Sequence, residues 1–187
     1  MATANKKAQQ LGRPLRVMFQ DEARFGRINN PRRCWAPKGV RPSVCKQIIR
    51  EYTYLYGAVC PTDGHSDYLI LPAMNAATMD LFLLEIADRY PDDFILMIYD
   101  GAPCHSQSAL TIPDTMMVHT LPPYSPQLNP VENLWDQIRE KFFPNTLFDS
   151  LAALEDRLVQ AVQALEADTH FIRSLSSWDW IIQGILI

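Results

Sequence analysis

Three acidic residues stand where the chain changes character. Asp21 follows the alternating run Leu15–Gln20, Asp100 follows the continuously apolar run Phe94–Tyr99, and Glu132 comes two residues after the dipeptide Asn129-Pro130. Carboxylates that converge raise one another's cost of ionisation, and a hard divalent cation with oxygen ligands, Mg²⁺ or Mn²⁺, relieves it. Two such ions about 4 Å apart activate a water and stabilise the leaving oxygen when a phosphodiester is cut. Each acid also has a plainer reading. Asp21 and the pair Asp100-Gly101 suit turns. Glu132, three positions after Asn129, suits a capping box that bonds back to the cap amide. His105, five positions beyond Asp100, is a candidate to orient a ligand or phosphate, or else a helix-start histidine. Asp136, one helical turn past Glu132, is a candidate supporting group, and Glu22 reads as solvated or paired with nearby basic residues.

The basic residues are concentrated elsewhere. The 187-residue chain carries a net charge of −4, yet residues 1–50 hold twelve Lys or Arg against Asp21 and Glu22, a net of +10. The remaining 137 residues hold five basic and nineteen acidic groups, a net of −14. A basic segment on an acidic body supplies phosphate contacts or is a solvated tail. Arg24 and Arg27, just past Asp21, lead into this segment and are candidate DNA contacts. Trp35, flanked by Arg32, Arg33 and Lys38, either stacks on a base or packs on the sheet. Cys34, Cys45, Cys60 and Cys104 form no CxxC pair and no zinc-type spacing, so they read as free thiols. No run of eighteen apolar residues and no apolar signal core occur, which predicts a cytoplasmic protein with no membrane span.

The elements that must position the acids follow from periodicity. Residues 1–14 are polar and end in Gly12 and Pro14, a flexible lead-in, and residues 15–187 read as one domain. Leu15–Gln20 alternates as a short strand ending at Asp21. Residues 27–50, with Pro31, Pro37, Gly39 and Pro42, form a long hairpin or loop around a short strand near Cys34–Trp35. Tyr52–Cys60 and Asp67–Leu71 are strands separated by the turn residues Pro61-Thr62-Asp63-Gly64. From Asn75, a cap, the apolar residues Met79, Phe82, Leu83, Ile86 and Tyr90 fall at helical spacing. Phe94–Tyr99 is a strand buried on both faces. A short helix after Pro103 and a strand near Met116–His119 follow. Asn129 and Pro130 then cap a helix to about Phe143, and Asp149 or Ser150 caps another. The C-terminal WDWIIQGILI packs into its own core or against another chain. The fold class is therefore α/β, a mixed sheet of about five strands flanked by helices. If the first and central strands are neighbours, Asp21 and Asp100 emerge at one edge, where such sheets bind ligands.

FQDEARFGR (19–27), CWAPKGVRP (34–42), YDGAPCHS (99–106) and LPPYSPQLNPVENLW (121–135) together resemble the catalytic domain of insertion-sequence transposases of the IS630 group, within the Tc1/mariner superfamily. The resemblance implies an RNase H-like fold and a catalytic, metal-binding triad of Asp21, Asp100 and Glu132 holding two Mg²⁺ or Mn²⁺ ions. It implies hydrolysis at transposon ends followed by attack of the freed 3′-hydroxyl on target DNA, commonly at TA, by a homodimer assembled on DNA. Trp35, Lys38 and Arg41 fall in the segment that contacts DNA and the partner subunit in that superfamily. Gly101 stands where the family often has Asn. Full-length members carry N-terminal helix-turn-helix domains that residues 1–14 are too short to supply, so the expectation is a catalytic domain alone. Two other readings stay open at this point: an idle remnant that binds DNA or a protein, and a different RNase H-like nuclease.

Overall fold

The computed structural model describes residues 1–29, 31–101 and 110–186. Five strands form one mixed sheet: β1 (Leu15–Ile28), β2 (Ile48–Val59), β3 (Ser66–Leu71), β4 (Phe94–Tyr99) and β5 (Met116–Thr120), in the spatial order β3-β2-β1-β4-β5. The first three make an antiparallel meander, while β4 and β5 run parallel to β1. The sheet thus has the predicted strand number and mixed character, with the first and central strands side by side.

Helices cover both faces. On one, α2 (Ala76–Arg89) lays Met79, Phe82, Leu83 and Ile86 against Met18, Tyr56, Ala58, Ile95 and Met97. Asn75 caps it in a capping box, its side chain accepting from the Thr78 amide at 3.0 Å. On the other face, α3 (Val131–Lys141), α4 (Leu151–Glu166), α5 (Thr169–Ser176) and α6 (Asp179–Leu186) pack on Val17, Phe19, Leu55, Val59, Phe94 and Leu96. Ser150 caps α4 through the Ala153 amide. The apolar C-terminus packs into this core through Ile181, 2% exposed. Residues 17–20 and 94–97 are buried without alternation because both faces of β1 and β4 are covered.

Three expectations are corrected. Residues 2–11 form helix α1 (Ala2–Leu11) rather than a flexible lead-in. Ala4 and Ala8, spaced four apart, are buried in the core, and Gly12 at φ 64° closes the helix in the left-handed region. Two small residues are too weak a pattern to mark an amphipathic stripe. Strand β1 does not stop at Gln20 but runs on to Ile28, because β2 pairs with it from Phe19 to Ile28. The short strand near Cys34–Trp35 is absent, and residues 31–47 carry no regular hydrogen-bonded structure beyond a turn. The start of α3 is as expected: Pro130 already has helical φ −66° and ψ −16°, Asn129 before it is extended, and the Asn129 side chain accepts from the Val131 amide. The short helix expected after Pro103 lies outside the described residues. No helix among the described residues is long and apolar enough to cross a membrane.

Candidate active site

Parallel pairing sets the first two acids. β1 and β4 pair from Leu15 with Phe94 to Phe19 with Ile98, a constant offset of 79. Carried two residues on, that offset sets Asp21 level with Asp100. Adjacent strands lie about 4.8 Å apart, and residues level on parallel neighbours project from the same face. Asp21 is also level with Gly57 on β2, and Gly57 with Tyr68 on β3. One transverse row of the sheet therefore reads Asp100, Asp21, Gly57, Tyr68.

The third acid arrives by a separate device. Asn129 is buried, and its Nδ2 donates to the Gln20 carbonyl at 2.8 Å while its Oδ1 accepts from the Val131 amide at 3.2 Å. The side chain thus ties the start of α3 to the strand residue just before Asp21 and brings Glu132, in the first turn of α3, to the same edge. The Asn129 amide donates to the Pro126 carbonyl at 2.9 Å. It is already satisfied, so the capping-box reading of Glu132 is set aside. Asp21, Asp100 and Glu132 line one cleft of about 510 Å³, walled by Leu121–Pro126 and Asn129.

Electrostatics mark the acids as a set. Burial pushes the Asp21 carboxyl up to about 7, and the charges of Glu132 and Glu22 push the same way. Burial also raises Glu132, with Asp136 and Asp100 adding to it and Arg139 opposing. Oxygen donors alone, crowded enough to resist ionisation, are a donor set that suits Mg²⁺ or Mn²⁺. Among the described residues the acids line the cleft without closing into a finished metal cage.

Trp135 is the residue at this site that sequence reasoning missed. Its indole Nε1 donates to Asp21 Oδ2 at 2.7 Å, the side-chain hydrogen bond that, helped by the Glu22 amide, holds Asp21 against the upward push of burial. The ring is 1% exposed and meets Tyr68 edge-on, with centroids 6.3 Å apart. It passes over Gly57, where a Cβ would fall 2.5 Å from Trp135 Cη2. Helical spacing reads Trp135 as core, which it is; its polar edge could be assigned only once its neighbour across the sheet was known. Tyr124, fully exposed on the cleft wall, has φ 55°. An aromatic residue in that region is uncommon, and strained backbone of this kind gathers at functional sites.

The other predicted residues separate. Asp136 is exposed on α3 and acts on Glu132 through its charge. His105 lies outside the described residues. Trp35, Lys38 and Arg41 are exposed, Trp35 fully so, which overturns the reading of Trp35 as packed on the sheet. Arg24 is exposed with its guanidinium 4.7 Å over the Tyr52 ring. Arg27 is corrected. Its guanidinium pairs with Glu51 at 2.6 Å and donates to the carbonyls of Phe148 and Asp149, so it clasps the entry to α4 rather than facing DNA. At Gly101 a Cβ would meet Thr120 Cγ2 at 3.5 Å, an ordinary contact among the described residues.

Comparison with known proteins shows the family and the fold. A family model described as DDE superfamily endonuclease matches residues 16–155, well over half of the chain. The uncharacterized protein y4pE/y4sA of Sinorhizobium fredii (strain NBRC 101917 / NGR234) is 32% identical over 130 residues, covering 69% of this chain and 96% of its own length. Among solved structures, the Mos1 transposase paired-end complex with left transposon end superimposes with a TM-score of 0.58 at 17% identity, covering 95% of this chain. The Mos1 mariner paired end complex with Mn gives 0.59 at 19% identity over 86% of this chain. The chain spans 60% and 53% of those two Mos1 chains. The likeness to Mos1 is one of fold, that of an RNase H-like catalytic core.

Proposed function

We infer, from the premise that this chain belongs to the DDE superfamily endonucleases, that Asp21, Asp100 and Glu132 are its catalytic and metal-binding carboxylates. The reaction is cleavage of DNA strands at the ends of an insertion sequence of Tc1/mariner type, followed by strand transfer. The observation that carries this reading is that Asp21, Asp100 and Glu132 line one cleft, which follows from the β1–β4 register carried past Phe19 and Ile98 and from Asn129 tying α3 to the same edge.

Each residue has a distinct task. Asp21 is the buried anchor, its orientation set by the Trp135 N–H, which favours the ionised form that a metal ligand requires. Asp100, exposed just past the end of β4 and lining the cleft, is where a phosphodiester would approach. Glu132 closes the third side from the first turn of α3. Mg²⁺ or Mn²⁺, two ions in this reading, would supply there the activated water and the stabilisation of the leaving oxygen. Trp35, Lys38 and Arg41, exposed on the arm between β1 and β2, contact DNA or a second copy of the chain. The Mos1 structures are described as paired-end complexes, which supports a pair of copies acting on two DNA ends, and TA as the target is what the resemblance to the Tc1/mariner superfamily implies.

The test is nicking of supercoiled plasmid with Mn²⁺, comparing the protein with Asp21→Asn, Asp100→Asn and Glu132→Gln. The expected result is metal-dependent nicking that each substitution abolishes while DNA binding persists. Nicking that survives Asp100→Asn overturns the triad, and DNA binding with no nicking in any form supports an idle binding module instead.

A further inference from the structure

The cleft that holds the three acids has two kinds of lining. Asp21, Asp100 and Glu132 supply its charge, while Leu121, Pro122, Pro123, Tyr124 and Pro126 supply an apolar wall, and among the described residues no lysine or arginine lines it. A phosphate bound through metal ions makes no use of apolar surface. A nucleotide does, because its base is joined to that phosphate through a single sugar and must lie nearby. The cleft volume of about 510 Å³ falls within the range of about 300–1,000 Å³ common for sites that take a small ligand.

The apolar wall is strung between the two strands that carry the aspartates. At one end the Leu121 amide donates to the Tyr99 carbonyl at 2.7 Å, and Tyr99 directly precedes Asp100. At the other end Asn129 Nδ2 donates to the Gln20 carbonyl at 2.8 Å, and Gln20 directly precedes Asp21. Between these ties Pro122, Pro123 and Pro126 each fix a backbone angle, and the Leu128 amide closes a turn onto the Ser125 carbonyl at 3.0 Å. Tyr124 stands in the middle of this stiff span. Its φ of 55° lies in the left-handed region, which glycine adopts at no steric cost and a tyrosine does not. Its ring is fully exposed, without the burial that normally stabilises an aromatic side chain. Neither conformation nor packing explains a tyrosine at this position. The loop holds one open aromatic face at a fixed place beside the carboxylates.

We propose that Tyr124 stacks on the base of a nucleotide adjoining the scissile phosphate, unstacked from its neighbour, and so seats that phosphate at the carboxylates. Every base has a π face, so stacking grips the strand whatever its sequence, in a cleft whose described lining offers no cation to do so. This rests on the proposed function and adds to it a substrate contact outside the triad and the arm.

The experiment uses the full chain and a labelled DNA duplex whose Mn²⁺-dependent cut is first mapped. Single abasic nucleotides are then placed in turn on either side of that cut. Tyr124→Ala is expected to lower nicking about tenfold, the loss of one stacked base, while Tyr124→Phe keeps it because the ring and not the hydroxyl makes the contact. An abasic nucleotide at one position adjoining the cut should lower nicking by the unaltered protein to a similar degree and add little to the Tyr124→Ala defect. Mn²⁺ affinity, measured by calorimetry, should be the same in Tyr124→Ala as in the unaltered protein. Tyr124→Gly, which relieves the backbone, should melt no lower than the unaltered protein and yet nick as poorly as Tyr124→Ala. Full nicking by Tyr124→Ala, a Tyr124→Phe protein as weak as Tyr124→Ala, lost Mn²⁺ affinity in Tyr124→Ala, a lower melting point in Tyr124→Gly, or equal sensitivity of both proteins to every abasic position overturns this proposal alone. Absence of metal-dependent nicking by the unaltered protein overturns the proposed function, and this inference with it.

Discussion

The indole of Trp135 reaches Asp21 only because Gly57 leaves space beneath it, so Gly57→Ala perturbs the site without touching an acid. The added Cβ would sit 2.5 Å from Trp135 Cη2 and 3.1 Å from Tyr68 Cδ1. An ordinary carbon contact is about 3.5–4.0 Å, so the ring must move by about 1 Å or more. Trp135 is 1% exposed and has no free space to enter, and overpacking of this kind costs about 1–3 kcal/mol. A shift of that size also breaks the 2.7 Å hydrogen bond to Asp21 or stretches it beyond useful length. Urea denaturation in EDTA should therefore show Gly57→Ala destabilised by about 2 kcal/mol. Mn²⁺ affinity, measured by calorimetry, should fall along with nicking. Trp135→Phe removes both Cη2 and the donor, so the alanine at position 57 should cost much less in that background. The double-mutant cycle should give a favourable coupling of at least about 1 kcal/mol. Additive costs, or a Gly57→Ala protein with unchanged Mn²⁺ affinity, would refute the argument that the glycine exists to admit the ring.

Three further outcomes follow from the same structure. With metal removed, Asp21 holds its proton up to about pH 7 against an ordinary value of 3.8, so the folded state binds more protons than the unfolded one and stability falls as pH rises between those values. At about 1.4 kcal/mol per pH step the ceiling is about 4 kcal/mol, so Asp21→Asn should be the more stable protein at pH 8 in EDTA and lose that advantage near pH 4; parallel denaturation profiles would contradict this. Burial alone would raise Asp63, but the His65 amide and Arg16 outweigh it and hold it below the ordinary range, so its contribution is present above about pH 4 and is lost as pH falls through the folded value. Because the pair is partly solvated, Asp63→Asn should cost only about 1 kcal/mol at pH 7 and progressively less as the pH falls below about 4, read from thermal melts. Gln20 is fully buried and among the described residues neither side-chain polar atom has a partner, so Gln20→Met, similar in volume, should raise stability by about 1 kcal/mol or more, and a destabilised variant would show that the amide is satisfied in solution.

Much of this protein follows from local pattern. The burial of Phe94–Tyr99 on both faces was legible as an unbroken apolar run, and α2 as an apolar stripe behind the Asn75 cap, because these signals depend on side-chain period and nearby hydrogen bonds. The three acids could be named from the same evidence, since each borders an element. Their convergence needed the tertiary structure. The register between β1 and β4, which makes Asp21 level with Asp100, is a property of two strands 79 positions apart, and the extension of β1 past Gln20 exists only because β2 pairs with it. Asn129 works at both levels. Locally it is the cap the sequence predicts, its Oδ1 accepting from the Val131 amide, while its Nδ2 donates to the Gln20 carbonyl, a bond across 109 positions that no local pattern carries. Arg27 and Arg24 are three residues apart and alike in sequence. One is spent on Glu51 and the other left open over Tyr52, a difference set by what packs beside each and invisible in residue type. The chain itself determines which groups are available for chemistry; packing decides which of them are free to perform it.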